Sequence, residues 1–180
     1  SWSVRLSPDG KNLAFVSDKK LWMMPLASNL GSNISGAPVE INTEGIKVEW
    51  SGLSWSKDGR WIAFNEVPPQ NDSLMIQGIY IVPSTGGPPK KVSQSYRDAR
   101  IVNYKLGLSP DGDKLAYSAI EESKQHIFLS QVDGGEAYQL VDMQAREPVV
   151  SPDGSMIAFA EDRGIGRGAG NLGLWTVSVK

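Results

Sequence analysis

The sequence predicts an all-β fold, a β-propeller of four readable blades, on three observations: a turn phrase repeated four times, an apolar strand centred on alanine after each turn, and the absence of a sustained helical period. The phrase is Ser-Pro-Asp-Gly at Ser7 to Gly10, Ser-Lys-Asp-Gly at Ser56 to Gly59, and Ser-Pro-Asp-Gly again at Ser109 to Gly112 and Ser151 to Gly154. Its aspartates, Asp9, Asp58, Asp111 and Asp153, lie 49, 53 and 42 residues apart, close to the ~40 to 45 of a four-stranded blade with loop insertions. Proline presets φ for a tight turn, aspartate can bond its own backbone, and glycine accepts the φ that closes it. Each phrase is therefore expected to be a hairpin turn.

Before each turn lies a short strand ending in Leu6, Trp55, Leu108 or Val150, the expected innermost strand of its blade. After each turn comes Leu13-Ala14-Phe15, Ile62-Ala63-Phe64, Leu115-Ala116-Tyr117 or Ile157-Ala158-Phe159. Large residues around a small one suit a strand packed between two sheets. A third strand opens at Leu21-Trp22, Ile79-Tyr80, Ile127-Phe128 and Leu174-Trp175, and an outermost strand is read at 39–43, 90–93 and 137–141. Gly86-Gly87 and Gly134-Gly135 supply turn signals before the last two. The blades run approximately over 1–45, 46–95, 101–142 and 146–180, the last without its outer strand. A larger propeller with blades outside this stretch is the first expectation. Two chains pairing as a homodimer into one ring is the second, because open blade edges and flanks need covering, and a self-closed ring of four is the third.

Composition narrows the function classes. Eighteen basic residues against twenty acidic ones leave a net charge of -2, so no broad cationic field awaits a phosphate backbone, and nucleic acid is not an expected partner. No run approaches the length of a membrane span. Cysteine is absent, which removes disulfides, thiolate nucleophiles and thiolate metal sites together. His126 is the one histidine, at the start of a strand, with no Gly-x-Ser-x-Gly elbow in the chain to make a triad with it. A single histidine also cannot build a multi-histidine metal site. Asp111-Gly112-Asp113 lacks the spread of oxygen ligands that a calcium loop needs. No cofactor, metal or catalytic residue is expected.

Loops are where recognition is expected. Asp162 to Gly173 alternates glycine with other residues and carries Arg163 and Arg167, but its spacing is not that of a dinucleotide fingerprint and a strand follows it. A second insertion, 67–77, carries Gln70, Asn71 and Asp72. In an up-and-down blade the connection from second to third strand lies on the same face as the connection to the next blade. That face collects Gln70, Asn71, Asp72, Tyr96, Arg97, Arg146, Arg163, Arg167 and Asn171, whose mix of Tyr, Arg and amide side chains suits a protein or peptide partner. Trp50 and Trp61, the aromatics that could stack on a sugar, are expected to be blade packing instead.

The order Ser-Pro-Asp-Gly, then a strand such as Leu-Ala-Phe, then Ile-Tyr-Ile-Val, then Gly-Gly and a polar strand, resembles the TolB-type, WD-like β-propeller repeat over nearly the whole chain. The resemblance implies a partner-binding or scaffold propeller in the periplasm or outside the cell. It also leaves open a gating or regulatory propeller of a larger prolyl-oligopeptidase-like or tricorn-like serine peptidase, whose catalytic domain would lie outside this chain. Such a fold carries many functions, so the site must decide.

Overall fold

A computed structural model describes residues 3–26, 36–67, 78–93, 105–121, 124–161 and 173–179. Regular structure among them is entirely strand, in four antiparallel sheets. Blade 1 holds β1 (Val4–Leu6), β2 (Asn12–Ser17), β3 (Lys20–Pro25) and β4 (Val39–Ile41). Blade 2 holds β5 (Val48–Trp55), β6 (Trp61–Glu66), β7 (Ile79–Pro83) and β8 (Lys90–Ser93). Blade 3 holds β9 (Leu106–Leu108), β10 (Lys114–Glu121), β11 (Lys124–Gln131) and β12 (Tyr138–Gln139). Blade 4 has three strands, β13 (Ala145–Val150), β14 (Met156–Glu161) and β15 (Gly173–Ser178). The fold is the unclosed propeller that the repeat predicts, with inner strands ending at Leu6, Trp55, Leu108 and Val150.

Two outer strands are shorter than the sequence reading. β4 stops at Ile41 because the chain turns at once: the Ile46 amide donates to the Thr43 carbonyl at 3.0 Å, across Glu44 and Gly45 at φ 52° and 82°. β12 keeps two residues, and the Leu140 amide adds one further bond, to the Ile127 carbonyl at 2.8 Å.

The four turns share one hydrogen-bond plan. In each, the serine hydroxyl donates to the aspartate Oδ1 at 2.6 Å. The same Oδ1 accepts the amide two residues on, at 2.9 to 3.1 Å from Lys11, Arg60, Asp113 and Ser155. The serine oxygen in turn accepts the amide five residues on, from Asn12, Trp61, Lys114 and Met156 at 2.8 to 3.0 Å. The glycine sits at φ 72° to 83°, where a Cβ is strained, and its amide closes the turn onto the serine carbonyl. Ser7, Ser56 and Ser109 are buried, so a hydroxyl that both donates and accepts meets the need of a buried polar group to be paired.

Packing between blades follows from the alternation on each second strand. Ile62 and Phe64 face blade 1, where they meet Ala14, Val16 and Leu21; Ala63 on the same strand faces blade 3, where it meets Leu115 and Tyr117. Ala116 likewise faces blade 4 and meets Ile157. Every seam therefore sets the large residues of one second strand against the alanine of the strand before it. Cross-strand aromatic pairs reinforce the large face: Phe64 stacks on Tyr80 at 5.7 Å and Tyr117 on Phe128 at 5.9 Å. Polar bridges tie the inner strands. The Arg5 Nε donates to the Leu53 carbonyl at 3.0 Å, and the Leu108 amide to the Ser54 hydroxyl at 3.2 Å.

Among the described residues, the two outward flanks break the pattern by having no mate. On blade 1, Val4 and Leu6 pair with Phe15 and Leu13 and stand exposed, Leu6 by 56%. On blade 4 the outward set includes Val149, Met156, Ala158 and Leu174, the last exposed by 86%. The four blades form an open arc, not the self-closed ring.

Two outcomes follow for stability. Phe64 is fully buried in the first seam, so Phe64→Ala is expected to cost about 3 to 5 kcal/mol in denaturant unfolding. The turn aspartates make the fold acid-sensitive. The serine hydroxyl and the following amide hold Asp9 and Asp111 below the usual carboxylate range, and Ser151, with the Ser155 amide and hydroxyl, lowers Asp153 to about 2. At Asp58 burial pushes upward, but Ser56 and Arg60 outweigh it. A carboxylate lowered in the folded state stabilises it fully above its unfolded value near ~3.9 and loses that contribution as pH falls through the folded value. The thermal unfolding temperature should therefore fall as pH drops from ~4 to ~2, and Asp153→Asn should flatten that fall.

Candidate functional site

The face that carries the second-to-third-strand connections holds a groove of about 530 Å³ between blades 1 and 2. Its floor is apolar: Val16 and Val48 are buried and Val67 is half-buried. Its rim is the two-residue turn Asp18-Lys19 on one side and Glu49-Trp50 on the other.

Local sequence explains both rims. Ser17 pairs with Lys20, so Asp18 and Lys19 alone make the β2–β3 turn, at φ 50° and 60°. Such a turn favours Asn-Gly, and a lysine there holds an uncommon left-handed conformation at the edge of the groove. The Lys19 carbonyl accepts the Val48 amide at 2.8 Å, which fixes the turn to β5. The other rim comes from an irregularity: the register of β5 on β6 shifts between Val48 and Leu53. Gly52 belongs to this bulge, and a Cβ there would overlap the Asn65 side chain. Released from regular pairing, Trp50 is 47% exposed, and its amide donates to Glu49 Oε1 at 3.1 Å. Trp50 is thus a groove residue, which corrects the expectation that it is blade packing. Trp61 does pack, half-buried, against the seam of blades 2 and 3.

A second groove, of about 500 Å³, opens on the opposite face between the first two turns and is lined by Asp9, Trp55, Lys57 and Asp58 among others. Its polar groups are committed. Both aspartates accept their serine hydroxyls, and Lys57 Nζ donates to the Pro152 carbonyl at 3.0 Å. Around the Trp50 groove Glu49 Oε1 accepts the Trp50 amide, while Asp18, Lys19 and Glu49 take part in no ion pair among the described residues. No group of three or more His, Cys, Asp or Glu residues that could hold a metal ion occurs among the described residues.

Of the nine residues expected at the partner surface, Arg146 is described, half-buried on β13 beside a register shift. Its neighbour Glu147, at φ 58°, pairs with Lys105 at 2.9 Å. Both lie at the starts of inner strands, on the face that carries the Trp50 groove. Gln70, Asn71, Asp72, Tyr96, Arg97, Arg163, Arg167 and Asn171 lie outside the described residues. His126 is a buried strand residue whose Nδ1 lies 3.2 Å from Gln139 Nε2.

Comparison with known proteins rests on structure. No family model matches the chain, and no curated protein is similar to it in sequence. Among solved structures, a TolB-like protein of Agrobacterium tumefaciens superposes with a TM-score of 0.74 at 26% identity, over 99% of this chain and 58% of that one. TolB of Acinetobacter baumannii gives a TM-score of 0.64 at 20% identity, over 97% of this chain and 40% of that one. The chain has the TolB-type propeller fold. The Cps50 (Swd1) β-propeller domain of Myceliophteria thermophila, with a TM-score of 0.64 at 13% identity over 98% of this chain and 55% of that domain's chain, shares the architecture alone. This TolB-type arc therefore spans between two fifths and three fifths of the chains it superposes on.

The strain at the rim is measurable. Lys19→Gly should raise stability by about 0.5 to 1 kcal/mol in denaturant unfolding, since glycine accepts the left-handed turn that lysine holds at a cost.

Proposed function

We propose that this chain is a non-catalytic propeller module that binds a protein or peptide through its long-loop face, outside the cytoplasm. One observation carries the reading: on that face an exposed tryptophan overhangs an apolar-floored groove at the mouth of an inner strand. Aromatic anchors beside pockets dominate the energetics of protein recognition. Arg146, half-buried at the start of β13 on the same face, is the kind of polar neighbour such a contact uses. Similarity to TolB chains supports a binding role and a periplasmic setting.

The flanks enter the same reading. Each seam mates a large-residue face with a small-residue face, and the arc ends with one of each exposed. Such flanks are seats for further blades of this repeat, in the same polypeptide or a second copy.

A display selection tests the function. Peptides enriched on the 180-residue chain should lose binding to a Tyr96→Ala, Arg163→Ala, Arg167→Ala variant by about tenfold or more, while thermal unfolding of that variant stays unchanged. They should keep binding to Lys57→Ala on the turn face. The opposite pattern, loss with Lys57→Ala and none with the triple variant, moves the partner to the turn face and overturns the reading.

A further inference from the structure

The chemistry of the Trp50 groove is more specific than a general contact surface. Three features converge. The indole of Trp50 is half in solvent on a bulge that takes it out of regular pairing. The floor beneath it is aliphatic, from Val16, Val48 and Val67. Two carboxylates, Asp18 and Glu49, stand on opposite rims, and neither has an ion-pair partner among the described residues. Among the described lining residues Lys19 is the single cation against them, so that part of the rim is net acidic.

An electron-rich indole face attracts a cation, and a carboxylate within reach adds charge-assisted hydrogen bonds. A guanidinium meets both demands at once, because its plane stacks on an aromatic ring while its N–H groups fork toward carboxylates. The aliphatic floor takes a neighbouring apolar side chain, whereas it would leave a sugar's hydroxyls unpaired. We infer that this groove is a recognition pocket for an extended peptide segment that carries an arginine beside an aliphatic residue, the guanidinium lying over Trp50 between Asp18 and Glu49 and the aliphatic side chain entering over Val16 and Val48. The inference rests on the reading of this face as a protein- or peptide-binding surface, and it names the chemistry of the partner segment.

The strained turn fits this role. Asp18 and Lys19 both occupy left-handed backbone, and the turn is tied to β5 by the Val48 amide, so the Asp18 rim is held in place before any ligand arrives. A preorganised rim lowers the entropy that binding must offset. Lys19 beside it repels a misplaced guanidinium and narrows the productive position to the Trp50 side.

The test uses three blocked tripeptides, acetyl-Val-Arg-Leu-amide and its Gln and Glu counterparts, titrated into the 180-residue chain. The Trp50 indole N–H resonance is the readout, assigned by its loss in Trp50→Phe. The Arg peptide should shift that resonance and bind about three- to tenfold tighter than the Gln peptide, with the Glu peptide weakest. Added salt should shrink the preference. The Asp18→Asn, Glu49→Gln double variant, which keeps shape and volume, should bring the Arg and Gln peptides to within about twofold of each other. Equal binding of all three peptides, or a preference that survives the double variant, overturns the inference. So does a neutral oligosaccharide such as maltohexaose that shifts the Trp50 resonance and blocks the peptides, since it would make the groove a glycan site. No response to any peptide also overturns it, but leaves the long-loop reading to be judged by its own selection, in which other residues are replaced.

Discussion

Everything in this arc depends on the two-sidedness of the second strands of blades 2 and 3. A strand buried on both faces has no solvent side to set its orientation, so the sizes of its side chains must do so. Here alanine points to one neighbour and two large residues to the other, as Ala63 does between Ile62 and Phe64. Close packing then permits one mating, large against small, because two large faces would clash and two small faces would leave a void. The inner strands, the grooves between blades and the direction of the loops are consequences of that mating.

Register makes the mating unique, and the Ser–Asp turns hold the register. A slip of one residue would send Phe64 where Ala63 belongs, since side chains alternate faces with a period of two. The serine hydroxyl at each turn ties the end of the inner strand to the amide that begins the second strand, while its aspartate holds the hydroxyl in orientation. A turn whose aspartate lost its charge would loosen strand alignment as well.

The fold was readable because its determinants are local. Turn phrase, alanine-centred strand and the aliphatic–aromatic opening of the third strand each fall within a few residues, and they located the ends of all four inner strands. The groove was not readable in the same way. Trp50 lies on a strand, and a periodic reading assigns a strand aromatic to packing. What exposes it is a bulge defined by pairing with β6, a contact distant in sequence. Gly52, isolated within that strand, was the one local sign of the bulge. Asp18 and Lys19 were hidden for another reason, since a two-residue turn gains a groove only when β5 docks beside it. Arg146 was assigned to its face by topology alone, which orders connections without fixing side chains.

The asymmetry of the seams bears on how such a chain can change over time. A blade carries one face of each kind, so the stretch from one Ser–Asp turn to the next can be copied in tandem, and the joint it creates has the same chemistry as those already present. Removing a whole blade is tolerated on the same grounds. Inserting half of one is not, because it would bring two alanine faces together and open a void along a strand. Growth by whole units is therefore written into the order of large and small residues, and it lets the number of blades vary while a groove between any two of them keeps its walls.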